Sequence, residues 1–115
     1  MKQKFEIELL PDAIVFLDNL DYKSREKIYF NIRKAQFIND NELFKKLNDT
    51  IWEFKTLYNG IAYRLFSFWD KTGDQETVVV ATHGIIKKAQ KTPTKEIERA
   101  EAIRKQYFNQ KIKNK

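Results

Sequence analysis

The 115-residue chain has no cysteine, one histidine (His83), three glycines and two prolines. Without thiols, disulfide scaffolds, thiolate zinc sites and cysteine nucleophiles are excluded, and the composition fits a reducing interior. A single histidine and no clustered carboxylates leave neither Zn²⁺ nor Mg²⁺ a ligand set, so no metal and no cofactor is expected. A Ser-His-Asp triad could draw only on His83, no serine sits in a nucleophile elbow, and glycine-rich phosphate loops are missing. No apolar run approaches the roughly 20 residues of a membrane span. The start of the chain, Met1-Lys-Gln-Lys-Phe-Glu-Ile-Glu8, alternates charged and apolar residues where a signal peptide would carry an uninterrupted apolar stretch. A cytoplasmic protein with no membrane partner is expected.

What is present is a globular composition, 42% hydrophobic, 14% aromatic and 33% charged, which excludes disordered and fibrous classes. The length suits one domain, taken as residues 1–110, followed by a basic tail over 111–115. The net charge of +6 is unevenly placed. From Gly84 to Lys115 there are ten basic residues against three acidic ones, while the preceding 83 residues are close to neutral. Such concentration suits a face that binds a polyanion. Lys111, Lys113 and Lys115 read instead as a solvated end.

Residues 4–9 alternate and put Phe5, Ile7 and Leu9 on one face of a strand. Pro11 and Asp12 open a helix carrying Ala13, Phe16, Leu17 and Leu20. Asp21 caps a second helix through Ile28, Ile32 and Ala35, so 12–37 reads as a helical hairpin. Leu43, Phe44 and Leu47 suggest a further short helical turn. Residues 51–58 and 61–69 are aromatic-rich strands joined by Asn59-Gly60, a strong hairpin signal, and Thr77–Thr82 is a β-branched third strand of the resulting meander. Thr92 and Pro93 then open a last helix with Ile97, Ala100, Ile103 and Tyr107 as its apolar stripe. The expected fold is α+β, in the order β-α-α-β-β-β-α, with a four-strand antiparallel or mixed sheet and the helices against one of its faces.

The chemistry that remains is a set of cations on a sheet. Arg64 shares its face with Ala62, Phe66 and Phe68, where an unpaired charge would be costly. An ion pair with Glu53 across the hairpin would relieve it and could coexist with a catalytic role. Glu53 and Lys55 share the face opposite Trp52 and Phe54 and are expected to emerge on the solvent side. His83, Lys87, Lys88 and Lys91 fall at the end of the third strand and in the loop that follows, the kind of place where sites occur. His83 also reads as an ordinary strand-end histidine, and Tyr107 as packing on Ile103. Arg99, Arg104 and Lys105 are expected to pair with Glu96, Glu98 and Glu101 along the last helix.

The segments Trp52-Glu-Phe-Lys55, Tyr58-Asn-Gly-Ile-Ala-Tyr-Arg-Leu-Phe66 and His83-Gly-Ile-Ile-Lys-Lys-Ala-Gln-Lys-Thr-Pro-Thr-Lys-Glu-Ile-Glu-Arg-Ala100, with the element order, resemble the RelE/ParE toxin superfamily, in its phage-derived Gp49-like, HigB-type branch. The resemblance covers nearly the whole chain. It implies a RelE-like single domain that is a ribosome-dependent endoribonuclease, acting on mRNA in the 30S A site. It also implies a cognate antitoxin, often a helix-turn-helix protein encoded beside it. Matched residue by residue, Arg64 is the arginine on the scissile phosphate and Lys55 a basic position on the preceding strand. Lys87, Lys88 and Lys91 form the basic run after the last strand, and Lys95 extends it. His83 and Tyr107 are further candidates for acid–base work or RNA contact. Glu53 stands where other members carry a second base.

RNA brings its own nucleophile, the 2′-OH, so such a protein need only orient the strand, move protons and stabilise charge on the phosphorane. Arg64 suits the last task through its two-pronged hydrogen bonding, and a lysine crowded by cations, Lys55 or Lys88, suits the base. Two other functions fit the same residues: a ParE-like inhibitor of a protein target such as DNA gyrase, and a non-catalytic nucleic-acid or partner-binding module, which Glu53 favours.

Overall fold

The computed structural model describes residues 2–74 and 77–113. Along the chain come β1 (Glu6–Leu9), α1 (Pro11–Asp18), α2 (Tyr22–Ala35), β2 (Phe44–Lys46), β3 (Trp52–Tyr58), β4 (Ile61–Asp70), β5 (Val78–Lys87) and α3 (Thr94–Lys113). The strands form one mixed sheet in the order β1-β5-β4-β3-β2, with β1 parallel to β5 and every other pair antiparallel. The fold is α+β as expected, with five strands in place of four.

The local signals act as their chemistry requires. Pro11 sits in the first turn of α1, where its missing N–H costs nothing, with Asp12 beside it. Asp21 caps α2 by accepting a hydrogen bond from the Ser24 amide at 3.1 Å. Asn59 and Gly60, with φ of 52° and 73°, close the two-residue turn between β3 and β4 in the left-handed region that this pair tolerates.

The additional strand is β2, over residues that read as a helical turn. Phe44 pairs with Phe54 and stacks on its ring at 4.3 Å, while Lys45 and Lys46 stay exposed. Three apolar residues at nearly helical spacing are too short a signal to resist a neighbouring strand that offers both backbone partners and an aromatic cluster.

Both faces of the sheet are covered, which corrects the one-sided expectation. On one face, α1 and α2 bury Phe5, Phe54, Tyr63, Leu65, Val79 and Ala81. On the other, α3 lies over Ile51, Phe66, Phe68 and Val80, touching them through Ala100 and the partly buried Ile97, Tyr107 and Phe108. No break falls at residue 110: α3 continues to Lys113, and Lys111 donates to Asp70 at 2.6 Å instead of trailing into solvent. Lys115 lies outside the described residues.

A register shift between Phe66 and Ser67 leaves Thr82 without a cross-strand partner, since Phe66 faces His83 and Ser67 faces Ala81. This β-bulge inverts the alternation of β5. Val80 points to the α3 face; beyond the bulge His83, Ile85 and Lys87 share that face, and Gly84 turns to the helical hairpin. There the Phe16 ring lies so close that a Cβ at position 84 would sit 2.2 Å from it. Gly84→Ala therefore lowers stability by about 1–3 kcal/mol through overpacking. Urea unfolding should show that loss, and Phe16→Leu in the same chain should recover part of it.

Candidate functional site

Where α3 does not reach, the second face of the sheet opens into a basin of about 590 Å³. Arg64 stands at its centre on β4. Lys55 lies directly opposite on β3, and Lys87 projects from β5 on the other side, facing Ala62, two residues from Arg64. Lys45 and Lys91 complete the cationic lining, with Thr92 and Ile97 at the wall nearest α3. Two like charges directly opposite on paired strands are destabilising, so the Lys55–Arg64 pair is a cost to the fold that a bound anion would remove. The beginning of α3 also borders the basin and adds the partial positive charge of a helix N-terminus.

Among the described residues that line the basin, one carboxylate, Glu53, stands against five cations. Glu53, only 3% exposed, places Oε1 3.0 Å from Arg64 Nε, and Arg64 is itself 12% exposed. The Arg64 N–H does not point at that oxygen, so the contact is Coulombic attraction and not a well-formed hydrogen bond. Glu53 Oε2 accepts the Thr92 hydroxyl at 3.4 Å, and Arg64 Nη1 donates to the Tyr63 carbonyl at 3.1 Å. Arg64 Nη2 has no hydrogen-bond partner among the described residues, and the guanidinium still lines the basin. The expected ion pair is therefore present. Glu53, however, lies at the floor, where Arg64 holds it, and does not emerge to solvent. Lys55 approaches Glu42 at 3.7 Å, an exposed and weak contact.

Lys87 is partly buried, and this desolvation, followed by the nearby Arg64 guanidinium, lowers its pKa below the ordinary lysine value. The depressed amine is thus Lys87. Among the described residues no group of three or more His, Asp or Glu could hold a metal ion.

Of the residues singled out in the sequence, the structure brings together Arg64, Lys55, Lys87 and Lys91. Lys88 rims an adjoining depression shared with Arg64 and Lys87. Lys95 is exposed on the first turn of α3, outside the basin lining. Lys45 escaped the sequence reading because the helical interpretation of 43–47 hid its cross-strand pairing with Glu53.

His83 and Tyr107 lie elsewhere. His83 is inside β5, not at a strand end, 1% exposed, stacked on Phe66 at 4.9 Å. Its Nδ1 meets Thr82 Oγ1 at 2.9 Å and its Nε2 meets Glu96 Oε1 at 3.1 Å. Burial, with Arg99 adding to it, lowers its pKa. It fastens the start of α3 to the sheet. Arg99 pairs with Asp12 of α1, not with its own helix, whereas Arg104 does keep Glu101 at 3.9 Å. Thr92, expected as a helix cap, directs its hydroxyl to Glu53. Tyr107 packs on Phe68 and donates to Asp70 at 2.6 Å. Asp70 is six residues along β4 from Arg64, roughly 20 Å at strand rise, so Tyr107 does not join the basin. Its hydroxyl is pushed above the ordinary tyrosine range by burial and by the Asp70 bond.

The chain matches the model of the family described as phage derived protein Gp49-like (DUF891) over residues 15–105. It belongs to that family. The Gp49-like family lies within the RelE/ParE-like toxin superfamily, and its toxin-like character fits the toxin of a toxin–antitoxin pair. RelE-type relatives of the family are endoribonucleases. No curated protein matches the chain. The matched stretch includes Arg64, Lys55, Lys87 and Glu53. Among the described residues no helix is long and apolar enough to cross a membrane.

Asp70 provides a pH test of how α3 is anchored. Burial alone would raise its pKa, but hydrogen bonds from Lys111, Thr72 and Tyr107 outweigh that and hold the carboxyl well below the usual range. A depressed carboxyl adds stability that is complete above the unfolded pKa of about 3.9 and is lost as pH falls through the folded value. Asp70→Asn should cost about 1–3 kcal/mol at neutral pH. The gap between the two proteins in urea unfolding should hold from pH 8 to about 5 and narrow below about 4.

Proposed function

We propose that this chain is the toxin of a HigB-type toxin–antitoxin pair and acts in the cytoplasm as a metal-independent endoribonuclease on ribosome-bound mRNA. The observation that carries the reading is the placement of Arg64 between two amines on the flanking strands, Lys55 on β3 and Lys87 on β5. In-line displacement at phosphorus puts the attacking and leaving oxygens on opposite sides, and a guanidinium flanked by two amines matches that demand. Arg64 holds the non-bridging oxygens and stabilises the charge that builds on the phosphorane. Lys87, with its depressed pKa, takes the proton from the 2′-OH. The 2′ oxygen attacks phosphorus, the bond to the 5′ oxygen breaks, and Lys55 protonates the departing oxygen. The products are a 2′,3′-cyclic phosphate and a 5′-hydroxyl end. Lys45, Lys88 and Lys91 track the strand to either side. The cognate antitoxin, often a helix-turn-helix protein in this superfamily, would keep RNA from the basin.

The Glu53–Arg64 ion pair favours a second reading, a binding module that grips RNA without cutting it, because it spends part of the Arg64 charge inside the protein.

Mapping message 5′ ends after induction in bacteria separates these readings. Cuts within translated frames, lost on Arg64→Ala, are expected. Full cutting by Arg64→Ala sinks the assignment, growth arrest with intact message points to a protein target such as gyrase, and neither arrest nor cuts supports the binding module. With purified ribosomes, Arg64→Ala should slow cleavage about 10²- to 10³-fold. Lys87→Met should slow it about 10²- to 10⁴-fold. For wild type the rate should rise with pH through the lowered Lys87 pKa, and Lys87→Met should lose that limb.

A further inference from the structure

The outward face of α2 carries a second concentration of positive charge, on the side of the sheet away from the basin. The helix holds Lys23, Arg25, Lys27, Arg33 and Lys34 against Glu26 alone. Arg25 is occupied with the Leu17 and Leu20 carbonyls at the end of α1. Arg33 donates to Gln3 Oε1 at 2.9 Å, and Lys23, Lys27 and Lys34 make no ion pair among the described residues. Lys23, Lys27, Phe30 and Lys34 recur at i, i+4, i+7 and i+11, so they form one stripe about 16 Å long at helical rise. Aromatic rings stand among the cations where a solvated helix would carry short polar groups: Phe30 is 59% exposed and Tyr22 67%. Lys27 Nζ lies 5.0 Å from the Phe30 ring centre, and the Arg33 guanidinium 4.7 Å from that of Phe37.

We infer that this face binds a second segment of RNA, one with unpaired bases. Lys23, Lys27 and Lys34 supply the phosphate contacts, with Arg33 beside them, and the exposed rings supply stacking platforms for bases that are out of a duplex. Charge complementarity selects a polyanion, and aromatic rings exposed between the cations suit an RNA loop, in which every unpaired base brings a flat face to stack. The segment bound here is distinct from the strand in the basin. α2 packs through Asn31 on Thr56 and through Ser24 on Tyr63, residues of the sheet face opposite Arg64 and Lys55. The inference rests on the reading above only in taking RNA as the polyanion; it does not depend on cleavage.

Fluorescence anisotropy with a labelled RNA stem–loop, titrated with the full chain carrying Arg64→Ala to spare the probe, tests it. Adding Lys27→Glu with Lys34→Glu should weaken binding at least ten-fold and reduce the slope of log affinity against log salt by about 2. Phe30→Ala should weaken binding about five-fold or more with the slope unchanged. Circular dichroism confirms folding, and Lys23→Glu with Lys34→Glu replaces the first pair if that pair does not fold. Unchanged affinity and slope in the charge-reversed proteins overturns the inference. Loss of poly-glutamate binding with RNA binding intact also overturns it, in favour of an acidic protein partner. Failure of the cleavage reading is separately visible, as intact message under the unmodified protein.

Discussion

The β-bulge at Thr82 is the constraint on which the rest of the molecule depends. Side chains alternate strictly along a strand, so one unpaired residue exchanges the faces of everything that follows. Ahead of the bulge, β5 belongs to the hydrophobic core as any β-branched strand would. Beyond it, the inversion places His83 beneath α3, Gly84 against Phe16 and Lys87 in the basin. Without the inversion Lys87 would face the helical hairpin, and the amine that flanks Arg64 from β5 would be missing. Thr82 is fully buried, and its hydroxyl donates to the Phe66 carbonyl across the strand pair. A threonine at the unpaired position thus supplies locally what the ladder cannot.

The basin poses a second problem, since five cations gathered at one place repel one another in the free protein. Glu53 is the internal answer. Buried among them, it lowers the repulsion without cancelling it and leaves a net charge of about +4 facing solvent. Burying a carboxylate is costly unless it is paired, and the pairing is with the central guanidinium. The misaligned Nε contact matters here: the attraction fixes the position of Arg64 while Nη2, which has no partner among the described residues, stays available to an anion. A strong bidentate pair would have satisfied the protein and left nothing for a phosphate.

Much of this was legible in the residues. The hairpin at Asn59-Gly60, the cap at Asp21, Pro11 at the head of α1 and the element order follow from local chemistry that packing leaves alone. That Arg64 and Lys55 stand opposite each other follows from a two-residue turn, which sets the register, while their roles came from the resemblance. What could not be read is what depends on distant partners. Phe44 joins the sheet because Phe54 and Trp52 are there to receive it. Parity past Thr82 carries no mark in sequence, so Lys87, read as loop, is the last residue of β5 and faces the basin, while His83, read at a strand end, lies inside β5 beneath α3. Lys111 reads as part of a solvated end and Tyr107 as packing on Ile103; Asp70, itself unremarkable in sequence, draws both to itself.

The way α3 is attached follows from the same logic and bears on the site. A helix of 20 residues with Ala100 alone fully buried, and Ile97, Tyr107 and Phe108 partly so, is not fixed in register by apolar contact alone. It is instead fastened at points along its length, by Glu96 to His83, Glu101 to the Thr50 hydroxyl, and Tyr107 and Lys111 to Asp70. Apolar burial fixes how much surface is covered but tolerates sliding, whereas paired polar groups fix register. The small Ala100 side chain lets the helix lie close over Phe66 and Phe68, and the clasp at His83 then sets where its first turn stops. That stopping point puts Thr92 against Glu53 and Ile97 at the basin wall. The depth of the basin is therefore set by a histidine that does not line it.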